Sequence, residues 1–357
     1  MVRLSWWCFA LSLGVVSAAA AKEPFVYISV AGEQRIAVYR ADVEGKLNHV
    51  DNLKLDAEPG ALALRPDRKW LGAALRSSGQ LAALARDPAS GKLALLNVVP
   101  AGPDPAHISL DATGAALFTA YYVAAKVTVH PLAADGKLPE MPQQSLTTAE
   151  KAHAIVQSPD RKFFYVPHTG AEAVFQFAWN SDKRELSPLD PPQVKTAAGT
   201  GPRHLAFHPK APIAYVVNEQ GNTVTMYRGD SAGQLKPEHT EPTLPANHQG
   251  ANSTAEIRVH PSGKYLYCAN RGHDSIARFS LGDDFKPKFL GATPTEKTPR
   301  SFDVDPDGEF LYAAGEEAGK VACYRIDATN GELHRLATVD VGRQPWWVMC
   351  VPAGPAP

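Results

Sequence analysis

The stretch GPRHLAFHPKAPIAYVVNEQ, Gly201 to Gln220, is apolar in its middle and charged at its ends. Arg203 and His204 precede a His-Pro turn and Glu219 follows it, so a hairpin would bring a cation, a base and an acid to one end. Such a trio can move a proton beside a group held by positive charge. Taken alone, it could equally be a surface ion pair of small worth. What positions it decides between the two.

The same hairpin recurs along the chain as ALALRPDRKWLGAALR, HISLDATGAALFTAYY, AIVQSPDRKFFYVPHT, EIRVHPSGKYLYCANR and SFDVDPDGEFLYAAGE. Its turn positions Pro66, Ala112, Pro159, Pro209, Pro261 and Pro306 lie 46, 47, 50, 52 and 45 residues apart, the period of a propeller blade. After each hairpin come a third apolar run (TVTMYR, SIARFS, KVACYRI), a turn such as DGKL or NGEL, and a fourth short run. This predicts one four-stranded antiparallel blade per unit, with no amphipathic helix between them. The N-terminal FVYISVAGEQRIAVYRADVEGKL lacks a first strand, and QPWWVMCVP near the C-terminus resembles the approach to the turn in TPRSFDVDP. The C-terminus is therefore expected to supply the inner strand of the first blade and close an all-β ring of seven, leaving no free edge. One propeller domain is expected over 22–352, with a disordered Pro/Ala tail at 353–357.

First strands line the channel of a propeller, so each blade sends the residues six and five before its turn, and nine or ten after it, to one mouth. The first slot holds Gly60, Ala106, His153, Arg203, Ala255, Arg300 and Trp346; the second holds Ala61, His107, Ala154, His204, Glu256, Ser301 and Trp347. Beyond the turn come Arg76, Tyr122, His168, Asn218, Glu219, Asn270, Arg271 and Glu316. Blade packing alone does not require a mouth so rich in His, Arg and Glu, although inner-strand ion pairs can also fasten a ring. The opposite loops, PDRK, HPKA, HPSG and DPDG, are ordinary turn chemistry.

Composition narrows the partner. Thirty-six basic residues against thirty-seven acidic ones leave a formal charge of −1, with no field for nucleic acid or an anionic membrane. Residues 1–21 read as a secretory signal: Arg3, the apolar run LSWWCFALSLGVV, and SAAAA before Lys22. The mature chain is expected to be exported, periplasmic or secreted, free of the membrane after cleavage, and monomeric. Cys8 leaves with the signal. Cys268, Cys323 and Cys350 sit in apolar runs and read as buried thiols, not a disulfide framework.

Over nearly all of the mature chain the ordered series AGPRHLAFHP with AYVVNE, AEIRVHPSGKYLYCANRGHDSIARF, PTEKTPRSFDVDPDGEFLYAAG and VGRQPWW resembles the lactonase family of seven-bladed propellers. That family includes bacterial 6-phosphogluconolactonase and fungal carboxymuconate lactonizing enzyme. The resemblance implies a catalytic set of His153, Arg203, Glu219 and Arg271, with His204, Arg300, His107, Arg76, Asn218 and Asn270 binding a small-molecule lactone. Opening a lactone needs a base for the attacking water and cations for the developing oxyanion. His153 suits the first part, and Arg203 and Arg271 the second. Glu219 would orient a partner or share the proton work. Ala154 stands where the phosphogluconolactonase branch often has serine. No cofactor or metal is implied: Glu219, Asn218 and Asn270 could ligate calcium, but the nearby arginines oppose a cation. GHDS at 272–275 reads as a solvated turn. The same residues serve a muconate-type cycloisomerase, and a non-catalytic exported binding propeller is the alternative from another class.

Overall fold

The computed structural model describes residues 23–354; the expected signal at 1–21, Lys22 and residues 355–357 lie outside them. Seven antiparallel sheets of four strands form the ring, so the chain is a seven-bladed, all-β propeller. Blade one joins the C-terminal strand Pro345–Val351 to Phe25–Val30, Arg35–Ala41 and Leu47–Lys54. Its closing register pairs Phe25 with Val351 and Tyr27 with Met349, so the expected closure is present. Blades two to seven follow in chain order, each from inner to outer strand. Among the described residues the only helix is the 3₁₀ turn Ala31–Glu33. Ala353 is buried, and the Gly354 N–H donates to the Pro88 carbonyl.

The repeat explains how blades lock together. An aromatic residue on the second strand of one blade reaches the turn between strands three and four of the next. Tyr27 Oη donates to the Gly91 carbonyl at 2.7 Å, Tyr165 to Gly233 at 2.7 Å, Tyr267 to Gly331 at 2.8 Å and Tyr312 to Gly45 at 3.2 Å. Trp70 Nε1 does the same to Gly136 at 2.7 Å, and Tyr215 to Phe285 at 2.7 Å. Between blades three and four the rings of Phe118 and Phe164 stack at 4.0 Å instead. The turn glycine is required twice over at Gly91: its φ is +74°, and a Cβ there would lie 2.3 Å from the Phe25 ring.

Second and third strands are buried on both faces, whereas outer strands such as Leu47–Lys54 expose most of their residues. Where the inner strands reach the mouth, the ladder breaks. Register shifts fall between Pro105 and His107, Pro202 and His204, Thr254 and Ile257, and Pro299 and Ser301. A bulge of this kind re-aims side chains that strict alternation would send to opposite faces. In blade four the inner strand is reduced to Val156–Gln157, and His153 sits before it on backbone held by its N–H to the Pro167 carbonyl. Of the cysteines, Cys268 and Cys323 are buried, Cys350 is partly so, and all three are free thiols. No helix among the described residues is long and apolar enough to cross a membrane.

Candidate active site

At the mouth, Gly60, Ala61, Arg76, Ala106, His153, Arg203, His204, Arg300, Trp346 and Trp347 enclose a small space. It leaves about 10 Å³ for the centres of water molecules, which is room for about one. Arg203 and His204 are neighbours in sequence yet both line it, because of the bulge at Pro202/His204. Trp347 is one wall of it, its ring centroid 5.6 Å from His107 and 6.0 Å from His204.

The expected catalytic set falls into two parts. Glu219 lies between two guanidiniums, 2.6 Å from Arg271 Nη2 and 3.6 Å from Arg203 Nε. Burial by itself would raise its pKa, but Arg203 and Arg271 outweigh it and hold the carboxyl below the ordinary 4.5. Burial, followed by repulsion from Arg271, lowers Arg203 to about 9, so it remains a cation at neutral pH. His153 makes the second part with His204, their rings 5.1 Å apart. Burial, then the charge of Arg203, pushes His153 well below 6.5. Burial takes His204 down to about 4 against the pull of Glu256. Both imidazoles are therefore neutral and able to accept a proton at pH 7.

Arg300 is 3.3 Å from Glu316, which also accepts the Trp346 indole N–H at 2.8 Å. Arg76 grips Asp104 with two bonds of 2.6 and 2.9 Å. The rim thus sets four guanidiniums (Arg76, Arg203, Arg271, Arg300) against three carboxylates (Asp104, Glu219, Glu316). Four buried polar atoms of the cluster lack a hydrogen-bond partner: His153 Nδ1, His204 Nε2, Arg203 Nε and Arg271 Nε. Other buried atoms of the described residues, His130 Nε2 and Arg65 Nε among them, are also unpaired, but these four sit on side chains that line or adjoin one cavity.

Other expected site residues serve the scaffold. Asn218 donates to Thr223 and Thr225, each at 2.9 Å, and Asn270 pairs with Thr243. Strand alternation turns both away from the cavity, Asn218 into its own blade and Asn270 towards Thr243 at the end of blade five's outer strand. His107 Nδ1 accepts the Ile155 N–H at 3.3 Å and fastens blade three to blade four; burial, then His204, lowers it to about 3. His168 bonds the Val166 carbonyl and Thr148. Within GHDS, His273 and Ser275 bond each other at 2.7 Å. No group of three His, Cys, Asp or Glu among the described residues is placed to hold a metal.

Glu256 is the residue whose place sequence reasoning undervalued. It was in the mouth slot, but its partners Arg258 and Asp303 lie two residues further down the channel, at 2.5 Å from Glu256 and 2.9 Å from Arg258 respectively. A wider crevice of about 820 Å³ opens at the same end, walled by Thr298, Glu316, Glu317, Asp340 and Arg343. No imidazole is among its lining residues.

The chain is thus a ring of seven blades with basic, acidic and imidazole groups converging at one mouth. The model of the lactonase, seven-bladed β-propeller family matches residues 17–102 and 93–350, and the chain belongs to that family. It is 32% identical over 325 residues to the 6-phosphogluconolactonase of Pectobacterium carotovorum, covering 90% of this chain and 97% of that one. The 6-phosphogluconolactonase of Enterobacter sp. strain 638 is 32% identical, with 91% and 98% covered. Among solved structures, the periplasmic gluconolactonase of Pseudomonas aeruginosa superposes with a TM-score of 0.86 at 25% identity, covering 93% of this chain and 99% of that one.

Proposed function

We propose that the protein is a carboxylic ester hydrolase that opens a sugar-acid lactone, as its 6-phosphogluconolactonase relatives are named for doing. The observation that carries this reading is the set of unpartnered buried atoms on His153, His204 and Arg203 around a space for one water, with Arg271 beside them through Glu219. A neutral imidazole, His153 of the sequence expectation or His204 beside it, takes the proton of the attacking water. Arg203 and Arg271, anchored by Glu219, face the carbonyl, and the rim's single excess positive charge matches the single negative charge of the tetrahedral intermediate. Arg300 and Arg76 hold the substrate's hydroxyl or anionic groups.

The N-terminal apolar segment and the periplasmic relative support a place outside the cytoplasm, where an unphosphorylated aldonolactone is the expected substrate. The ring's closed edges support a monomer. The test is turnover of δ-gluconolactone, its 6-phosphate and a carboxymuconate by the purified mature chain. Hydrolysis of a lactone above its spontaneous rate, abolished in His153→Ala/Arg203→Ala, is expected. No turnover above that rate would refute the lactonase reading, and turnover of the muconate alone would replace it with cycloisomerisation.

A further inference from the structure

The lactonase reading leaves open which imidazole takes the proton. Resting on that reading, we propose that Glu256 positions His204 as the proton acceptor, with His153 holding the water beside it. His204 Nδ1 lies 3.0 Å from Glu256 Oε1, while Nε2, at the far side of the ring, has no partner, and the residue lines the cavity. A carboxylate on Nδ1 fixes the tautomer with the proton there and leaves the Nε2 lone pair free. The carboxylate is itself fixed. Its Oε1 also accepts Arg258 Nη1 at 2.5 Å and the Ile257 N–H at 3.0 Å. Arg258 Nε donates to Asp303 at 2.9 Å, and Asp303 Oδ2 accepts the Cys350 N–H at 2.9 Å.

This chain, buried at His204 and Glu256 and half-buried at Arg258 and Asp303, runs through the inner strands of blades five, six, seven and one. Holding the ring together does not require it. At the corresponding channel-facing positions blade two has Ala61 and Ala63, and blade four has Ala154 and Val156. Replacing such ionic chains with apolar groups is often neutral or stabilising, so their presence calls for another reason. Burial would raise the Glu256 pKa, but Arg258 and His204 bring it to about 2, keeping it charged.

His153 lacks this support. Its Nδ1 has no partner, and the charges nearest it, on Arg203, Arg76 and Arg300, are cationic. A proton arriving on His153 is repelled, whereas one on His204 meets Glu256. The other groups facing His204 are His107 at 5.6 Å and His153 at 5.1 Å between ring centroids, with Arg203 and Arg258 nearby. The water's oxygen bonds the lactone carbonyl carbon as its proton passes to His204 Nε2, and the carbonyl π pair moves onto oxygen before Arg203 and Arg271. On collapse the ring C–O bond breaks. Its electron pair leaves with the ring oxygen, which takes the proton back from Nε2 to become the product hydroxyl, and the new carboxylic acid releases its own proton to solvent.

Glu256→Gln should lower kcat for the lactone by about 10²-fold, in the range of general-base contributions, with KM little changed. It should also move the acid limb of the kcat/KM profile to lower pH, and Glu256→Asp should restore part of the rate. In a His204→Gln background Glu256→Gln should have no further effect on kcat; an equal loss in both backgrounds would mark Glu256 as structural and overturn the proposal. The histidine ¹⁵N spectrum of the wild-type chain, with His204 assigned by its loss in His204→Gln, reads the same point without altering Glu256. Protonation at Nδ1 is expected, and protonation at Nε2 would overturn the assignment. A wild type that turns over lactone while Glu256→Gln matches it in rate and pH profile defeats this inference alone; a wild type without turnover defeats the lactonase reading with it.

Discussion

Glu219→Gln isolates the ion triad from the rest of the mouth. The carboxylate is flanked by Arg271 at 2.6 Å and Arg203 at 3.6 Å, with side-chain exposures of 19%, 14% and 3% for Glu219, Arg271 and Arg203. Removing one partner from a buried pair costs ~3–5 kcal/mol, because the opposite charge is left without compensation. Glutamine keeps an oxygen for Arg271, and a fifth of the side chain reaches solvent, so screening brings the expected loss to ~2–3 kcal/mol. At ~2.1 cal/mol/K per residue, a ring of this length unfolds with an entropy of about 0.7 kcal/mol/K, and the loss should lower Tm by about 3–4 °C.

The dependence on pH checks the cause. Glu219 has its folded pKa below the unfolded value of 4.5, so its contribution is fully present above 4.5 and disappears as pH falls through the folded value. The wild-type and Glu219→Gln melting curves, measured calorimetrically, should differ at pH 7 and converge below pH 4.5. Equal Tm values at pH 7, or a gap that persists unchanged into acid, would refute the charge argument.

Two further outcomes follow from the same structure. His107, His130, His168 and His204 are buried with pKa values of about 3 to 4, so stability should be complete above pH 6.5 and fall as pH drops from 6.5 towards 4, by up to about 1.4 kcal/mol per pH unit for each group; His204→Gln should flatten the slope of Tm against pH in that window, and an unchanged slope would contradict it. Deleting residues 345–357 removes the inner strand that pairs with Phe25–Val30 and bares that edge, so the truncated chain should be recovered as aggregate, whereas a soluble monomer with the wild-type Tm would show that closure contributes nothing.

The repeat carried most of the fold. Hairpins recurring at 45 to 52 residues, and an N-terminal unit missing one strand, were enough to place the blades and the closing QPWWVMCVP strand. Counting slots from the turn also brought His153, Arg203, His204 and Arg300 to one cavity. It failed where the ladder is irregular. A slot count assumes uniform register and does not explain why two sequence neighbours share the cavity; the shift at Pro202/His204 is what brings both Arg203 and His204 to it. On the second strands, where register holds, alternation sends Glu219 to the site and Asn218 into its blade, a distinction that depends on one residue of phase. Asp104, the partner of Arg76, sits before the inner strand with a φ of +54°; GPDP at 102–105 marks a turn there but not that the turn aims its carboxylate at Arg76.

What separates the two ends of the ring is less their residue types than how far those residues are already used. At the turn end, histidines and aspartates abound as well, yet they are spent on the backbone. His208 bonds the Gly263 carbonyl at 3.1 Å and His260 that of Gly308 at 2.8 Å, while Asp111 accepts the Ala115 and Ala116 N–H groups and Asp305 that of Phe310. These bonds tie one blade's hairpin to its own strands or to the next blade, and the ring needs them. At the other mouth the imidazoles of His153 and His204 and the guanidiniums of Arg203 and Arg271 each keep an atom that no protein group satisfies. Of the trio at the end of one apolar hairpin, Arg203 and His204 belong to that set and Glu219 is the carboxylate between Arg203 and Arg271, because the six other blades complete the ring around them.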